Sequence, residues 1–234
     1  SLVVSDVPGD DPAQVASGPT VPDAVTRQDA LAMISARNIV LPEKVMAHIS
    51  SDLSAAPRPD DACFQGNVVR VIASARLSLE AAADRVEAAG LTAAILSDAI
   101  EGEAYDVGRV HAALAREIAL RNRPFGAPVV LLSGGETTVT LGDNPGRGGR
   151  NTAFLMGFAE GIEGLTGITA LAADSDGIDG TEDNAGAFVD GGSFDRLRTQ
   201  GKDPMGYVQR QDPYSAFEAL GDIFAPGPTG TNVN

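Results

Sequence analysis

The 234-residue sequence is long enough for one large domain, or for one domain with part of another, and 43% hydrophobic with 21% charged residues is ordinary for a folded globular chain. A formal net charge of −15 argues against a nucleic-acid binder, which needs a basic face. The longest apolar runs are strand-length, far short of the roughly 20 residues of a membrane span, and a single cysteine, Cys63, excludes an intramolecular disulfide and a cysteine-built zinc site.

Two histidines, His48 and His111, are too few for a His-rich metal site. A metal would therefore be held by carboxylates and phosphate oxygens, which points to magnesium. Of the seventeen basic residues only Lys44 and Lys202 are Lys, so an anion site must rest on Arg and backbone N–H groups. The lone cysteine and the lack of a leader-like start lead us to expect a cytoplasmic protein. Ser1 and Asn234 read as cuts within a longer chain.

In chain order, Leu2-Val3-Val4 reads as a buried strand and Pro8 to Pro22 as loop. A helix should start at Thr26, where Thr26-x-x-Asp29 forms a capping box. A second helix should follow Pro42, and the Pro-rich stretch Ser54 to Asp61 is a linker. Next come a strand over Asn67–Ala73, a helix over Ala75–Ala89 stopped by Gly90, a strand over Leu91–Leu96 and a helix over Val107–Arg121. Two further strands, Pro128–Leu132 and Thr137–Leu141, precede a helix over Ala153–Glu160 and a strand over Ile168–Ala172. This alternation predicts an α/β fold, a mostly parallel sheet sandwiched by helices in a Rossmann-like C-terminal domain (61–234), joined to the tail of a second α/β domain (1–60).

Ligands bind beyond the carboxyl ends of strands in such sheets, and five strand-end loops here are polar and glycine-rich. Gly146-Arg147-Gly148-Gly149-Arg150-Asn151 could admit an anion to backbone N–H groups at a helix N-terminus, or be a solvated hairpin loop. Asp174, Asp176 and Asp179 could share a magnesium ion, or be turn and cap residues; the calcium-loop likeness fails without a twelfth-position Glu. Ser133-Gly134-Gly135-Glu136 could hold nucleotide or simply turn the chain. Asp6, Asp10 and Asp11 fit an ordinary Asp-rich turn, His111 a packed or surface helix position, and Cys63 a structural role. The sequence has no phosphate-binding G-x-x-x-x-G-K-[ST], no protein-kinase motif set, no G-x-S-x-G elbow and no strand followed by G-x-G-x-x-G.

Taken in order, these loops resemble one family. Ser5-Asp-Val-Pro-Gly-Asp-Asp11 with Ser17-Gly-Pro-Thr20 resembles the end of the N-terminal domain of the MOFRL-containing glycerate 2-kinases. Ser133 to Val139, Gly146 to Asn151, Asp176 to Gly180 and Gly227 to Asn234 resemble that family's C-terminal region. Members often carry a hydroxypyruvate reductase label linked to tartrate degradation. The resemblance implies a two-domain enzyme with its site in the cleft, ATP-dependent phosphorylation of D-glycerate at C2, and a phosphate-binding lysine before Ser1. It assigns Arg147 and Arg150 to phosphate or the substrate carboxylate, Asp176 and Asp179 to magnesium, and Asp6 to the general base. Ser133, Gly134, Gly135, Glu136, Gly148, Gly149, Asn151, Thr231 and Asn232 fall in the nucleotide and substrate site. Partners are then small molecules, neither nucleic acid nor membrane, and a homo-oligomer is compatible. The rivals are an NAD(P)H-dependent hydroxypyruvate reductase and a non-catalytic metabolite-binding relative. The sequence departs from the family pattern at Thr152-Ala153, where Gln-Glu is usual, at Ser175 in place of Thr, and at Pro226 in place of Thr.

Overall fold

A computed structural model describes residues 1–233, which divide into two compact units with the break between Ile72 and Ala73. In the first unit, β1 (Leu2–Val4) pairs with β2 (Arg70–Ala73). The capping box forms as expected at the start of α1 (Arg27–Ala36): Asp29 N donates to Thr26 Oγ1 at 3.1 Å, and Thr26 N donates to Asp29 Oδ2 at 2.8 Å. The helix after Pro42 is α2 (Glu43–Ile49). Within this unit only Ser5 and Val15 are buried, while Leu2, Met33, Val40, Leu53 and Val68 stay exposed. Cys63 is exposed as well.

The second unit opens with α3 (Ala75–Ala88), capped by the buried Ser74 and ended by Gly90 at φ +79°. Then come β3 (Thr92–Glu103), α4 (Ala104–Arg121), β4 (Val129–Thr138), α5 (Arg150–Ile162) and β5 (Thr169–Ala173). Beyond the elements foreseen lie β6 (Gly186–Asp190), α6 (Ser193–Thr199), α7 (Pro204–Gln209), α8 (Pro213–Leu220) and β7 (Ile223–Phe224). The α/β class holds. β3 pairs with β4 in parallel, while β5, β6 and β7 form an antiparallel sheet.

One expected break is absent: β4 runs unbroken through Gly134 and Gly135. The register against β3 shifts around Ser97, so β3 carries extra residues opposite this point. A bulge of that kind bends a strand and re-aims its side chains. Gly135 sits at φ +143°, and a Cβ there would collide with the Ile100 backbone. Only glycine lets β4 pass the bulge, and the strand carries on to Glu136 and Thr138.

α5 is the hub of the core. Its Leu155, Met156, Phe158 and Ile162 pack with Val189, Phe194, Leu197 and Phe217. Each such side chain contributes about 1.5–3 kcal/mol on burial. The opposite face of α5 lies against α4 along a seam of small residues. A Cβ on Gly108 would strike the Phe154 carbonyl, one on Gly157 the Tyr105 carbonyl, and one on Gly161 the Ala112 side chain. The two backbones are therefore in near contact, and Tyr105 clasps the seam by donating to Glu160 at 2.8 Å. Burial and the Glu160 carboxylate push the Tyr105 hydroxyl up to about 12.

Gly157→Ala should destabilise the fold by about 1–3 kcal/mol, because the methyl has nowhere to go without separating the helices. Urea denaturation against wild type measures it, and an unchanged midpoint would disprove the close approach. The Tyr105 contribution has a defined pH sense. Its folded value lies above the ordinary one near 10, so its stabilisation is complete below that pH and disappears as pH rises through about 12. In Tyr105→Phe, stability should fall less between pH 10 and 12 than in wild type.

Candidate active site

Four of the five expected strand-end loops fall in the second unit; Ser133 to Thr138 is built into β4 itself, and the structure joins it to the other three. Arg150, the first residue of α5, donates through Nη1 to Glu136 Oε1 at 2.5 Å and through Nη2 to Asp174 Oδ2 at 3.0 Å. One guanidinium thus ties the end of β4 to the end of β5. The Gly227 loop closes on the same place: Thr229 N donates to the Asp176 carbonyl at 3.0 Å and Val233 N to Ser175 Oγ at 2.9 Å. Gly177 has φ +94°, and a Cβ there would meet the Gly227 carbonyl. Asp174 is nearly enclosed, with 8% of its side chain exposed, whereas Arg150 retains 35%. Burial first and then Asp176 push the Asp174 carboxyl above the ordinary carboxylate value, with Arg150 pulling the other way.

Asp179 has a different role from the metal ligand expected of it. Its side chain is fully buried and sits on the N-terminus of α5. Oδ1 accepts from Asn151 N at 2.9 Å and from Asn151 Nδ2 at 3.4 Å. Oδ2 accepts from Thr152 N at 2.9 Å and Thr152 Oγ1 at 2.8 Å. Its acceptor directions are in use, so it offers no oxygen to a cation. Asp176 is half-buried, and its Oδ1 accepts from Ile178 N at 2.7 Å. No three His, Cys, Asp or Glu among the described residues come together as a metal site. These residues do not build a magnesium cage.

The same carboxylate occupies the helix N-terminus that the Gly146–Asn151 loop was expected to offer to phosphate. Gly149 N donates to Thr152 Oγ1 at 2.9 Å, and a Cβ on Gly149 would collide with Asp179. A Cβ on Gly148 would press on Pro213. Both glycines admit the protein's own groups. Arg147 is likewise committed: Nε and Nη2 donate to Glu182 Oε2 at 3.0 and 2.7 Å, and its guanidinium lies 3.9 Å from the centre of the Tyr214 ring. The loop backbone is strapped down too, with Arg147 N donating to Asp212 Oδ1 at 3.1 Å, Tyr214 N to the Arg147 carbonyl at 3.0 Å and Gly146 N to the Arg210 carbonyl at 2.9 Å. It is neither a mobile hairpin nor an open anion cradle.

Ser133 is exposed on β4, and its hydroxyl meets Nε2 of His111 at 3.1 Å. His111 is buried in α4. Thr231 and Asn232 are exposed. Asp6 is exposed in the first unit. The groups that sequence reasoning passed over are Glu182, Asp183 and Tyr214, whose hydroxyl donates to Asp183 Oδ1 at 2.8 Å, and Thr152 was noted only as a departure from the family pattern. Only Thr152 left a local signal, as a hydroxyl three residues after Gly149 at a helix start.

Comparison with known proteins accords with the loops. The MOFRL family matches residues 129–234, and a domain of unknown function, DUF4147, matches residues 1–50. A Pyrococcus horikoshii glycerate 2-kinase is 39% identical and a Thermotoga maritima D-glycerate 2-kinase 35% identical, each across the whole of this chain. The crystal structure of the T. maritima glycerate kinase superposes with a TM-score of 0.88, covering 100% of this chain and 54% of that one. The chain is thus similar to glycerate kinases over its whole length and to the MOFRL family over residues 129–234. Two Agrobacterium vitis relatives, each 47% identical, carry a provisional hydroxypyruvate reductase name. The chain spans about half the length of these relatives.

Within the MOFRL-containing pattern, the departure at Thr152 now has a physical account. Thr152 is fully buried, and its hydroxyl completes the clamp on Asp179. Ala153 continues α5 with no polar group of its own. Asp179→Ala would strand the N–H groups of Asn151 and Thr152 and the Thr152 hydroxyl. We expect a loss of about 2–4 kcal/mol, more than an exposed cap, because these donors are buried. Chemical denaturation checks this, and a variant as stable as wild type would mean the cap is dispensable.

Proposed function

We propose that this chain is part of a glycerate 2-kinase that transfers the γ-phosphoryl group of ATP to the C2 hydroxyl of D-glycerate. The products are ADP and 2-phosphoglycerate, and the hydroxyl proton passes to a base, for which Asp6 is the candidate. The observation that carries the reading is Arg150, a partly exposed guanidinium where strand-end loops converge, in a chain 35–39% identical to named glycerate 2-kinases over its whole length. Phosphoryl transfer asks a protein chiefly for positioning and charge stabilisation. A planar fork suits the carboxylate of glycerate or the moving phosphoryl oxygens. Glu136 and Asp174 aim that fork, and the buried Asp179 cap fixes the helix turn from which it projects.

Arg147, held by Glu182 and Tyr214, supports the loop from behind. ATP is the proposed donor, with magnesium travelling on its phosphates, its shell filled largely by phosphate oxygens and water. Ser133 to Glu136, Thr231 and Asn232 are the proposed contacts at the rim. The competing reading, hydroxypyruvate reduction, draws on the names of the 47% identical relatives. It lacks a dinucleotide fingerprint in this sequence.

The full-length enzyme should release ADP only when D-glycerate and ATP are both supplied with a divalent cation. Hydroxypyruvate-dependent NADH oxidation without ADP release would favour the reductase instead. Arg150→Lys keeps the charge but loses the two-point fork, and kcat/KM should fall by about 10-fold or more. Unaltered steady-state rates in that variant would remove Arg150 from the site.

A further inference from the structure

His111 was expected to be a packed or surface helix residue; it is packed, and its two ring nitrogens are both engaged in a way that sets the chemistry of an exposed neighbour. Nδ1 lies 2.9 Å from the Val107 carbonyl, one turn back in α4. A carbonyl oxygen can only accept, so Nδ1 carries the proton. In the neutral ring Nε2 is then bare and can only accept, and the group it faces at 3.1 Å is the Ser133 hydroxyl. Ser133 must therefore donate its proton inward. The ring cannot readily turn away, since its edge-on contact with Phe154 (centroids 5.1 Å, planes at 69°) and its burial fix its plane.

The consequence falls on the outward side of Ser133. With its single proton spent on His111, the hydroxyl offers only lone pairs to a ligand. Ser133 stands beside the bulge in β3, followed by Gly134 and Gly135, and three residues before Glu136, which holds Arg150. We propose that His111 is a positioning residue that locks Ser133 as a hydrogen-bond acceptor, so that this edge of the site selects a ligand hydroxyl rather than a phosphate oxygen. Phosphate and carboxylate oxygens only accept, and they meet Arg150 instead. The strand end thus divides the work: a donor fork for the anionic part of a ligand, an acceptor for its alcohol part. This rests on the kinase reading for which alcohol is meant, either glycerate or the ribose of the nucleotide.

The test has one arm independent of activity. In the full chain labelled with 15N-histidine, His111 should show a protonated Nδ1 and an unprotonated Nε2 at neutral pH. A protonated Nε2 there would overturn the proposal, whatever the enzyme catalyses. The kinetic arm uses full-length enzyme with ATP and D-glycerate varied in turn. Ser133→Ala and His111→Phe should each raise KM for one of the two by about 5- to 10-fold, the effect of one lost neutral hydrogen bond. The substrate affected identifies the alcohol. His111→Gln, which can still present an oxygen to Ser133, should stay within about 3-fold of wild type. Adding Ser133→Ala to His111→Phe should change KM no further, which a purely structural histidine would not produce. If KM for both substrates is unchanged in Ser133→Ala, the acceptor role is wrong. If wild type forms no ADP from these substrates but the tautomer is as stated, the kinase reading fails and the Ser133 polarity stands, to be read by ligand titration with glycerol and with inorganic phosphate: only glycerol should lose affinity in Ser133→Ala.

Discussion

The second unit is organised around a carboxylate buried on a helix end. The first N–H groups of α5 lack helical partners and carry the positive end of the helix dipole. Something anionic has to meet them, and Asp179 does so from 28 residues away in sequence for Asn151. An uncompensated buried carboxylate would be costly. Here four donors receive it, so the same contact satisfies the helix and the acid together. Everything polar nearby is arranged relative to that contact: Gly149 must be glycine to admit Asp179, Thr152 must bring a hydroxyl, and Arg150 leaves the first turn at a fixed angle toward Glu136 and Asp174.

From that end, α5 runs into the core and meets α4 along the Gly108, Gly157 and Gly161 seam. Close backbone approach in the seam makes the angle between the helices hard to vary, since interiors are packed too densely to absorb a methyl without displacement. α4 also carries His111, so the seam sets where Ser133 finds its partner. The polar cluster at one end and the glycine seam along the length act together to hold β4, α4 and α5 in register. A strand end, a helix side and a helix start thereby contribute to one small region.

The two arginines of the glycine-rich loop illustrate how similar sequence positions diverge once folded. Arg147 turns toward Glu182 and stacks on Tyr214, while Arg150 turns toward the strand ends. Burial opposes the charge of Arg150, but Glu136 and Asp174 outweigh it and hold the guanidinium above its ordinary value. Glu182 does the same for Arg147. Both are tied by carboxylates and both keep part of their surface open, 51% for Arg147 and 35% for Arg150, so what separates them is the set of segments each one joins.

Much of the fold was legible because its signals are short-range. The Thr26–Asp29 capping box, the stop at Gly90 and the start of α3 depend on residues three or four apart, and the sequence alone determined them, whereas α4 and α5 each begin three residues before the expected start, at Ala104 and Arg150. The α/β alternation, four of the strand-end loops and the family they resemble were legible in the same way, whereas Ser133 to Thr138 lies within β4. What the tertiary structure alone decided was the occupancy of those loops. Asp179 looked like a metal ligand because its spacing from Asp176 is visible in sequence, whereas its distance to the α5 N–H groups is not. Arg147 and Glu182 are 35 residues apart, and Arg147 and Asp212 are 65. Gly134-Gly135 suggested a turn, and the bulge on β3 that lets β4 run straight lies on another strand. A glycine, an arginine or an aspartate in a loop has several possible partners of equal local merit, and only the packing of distant segments selects among them.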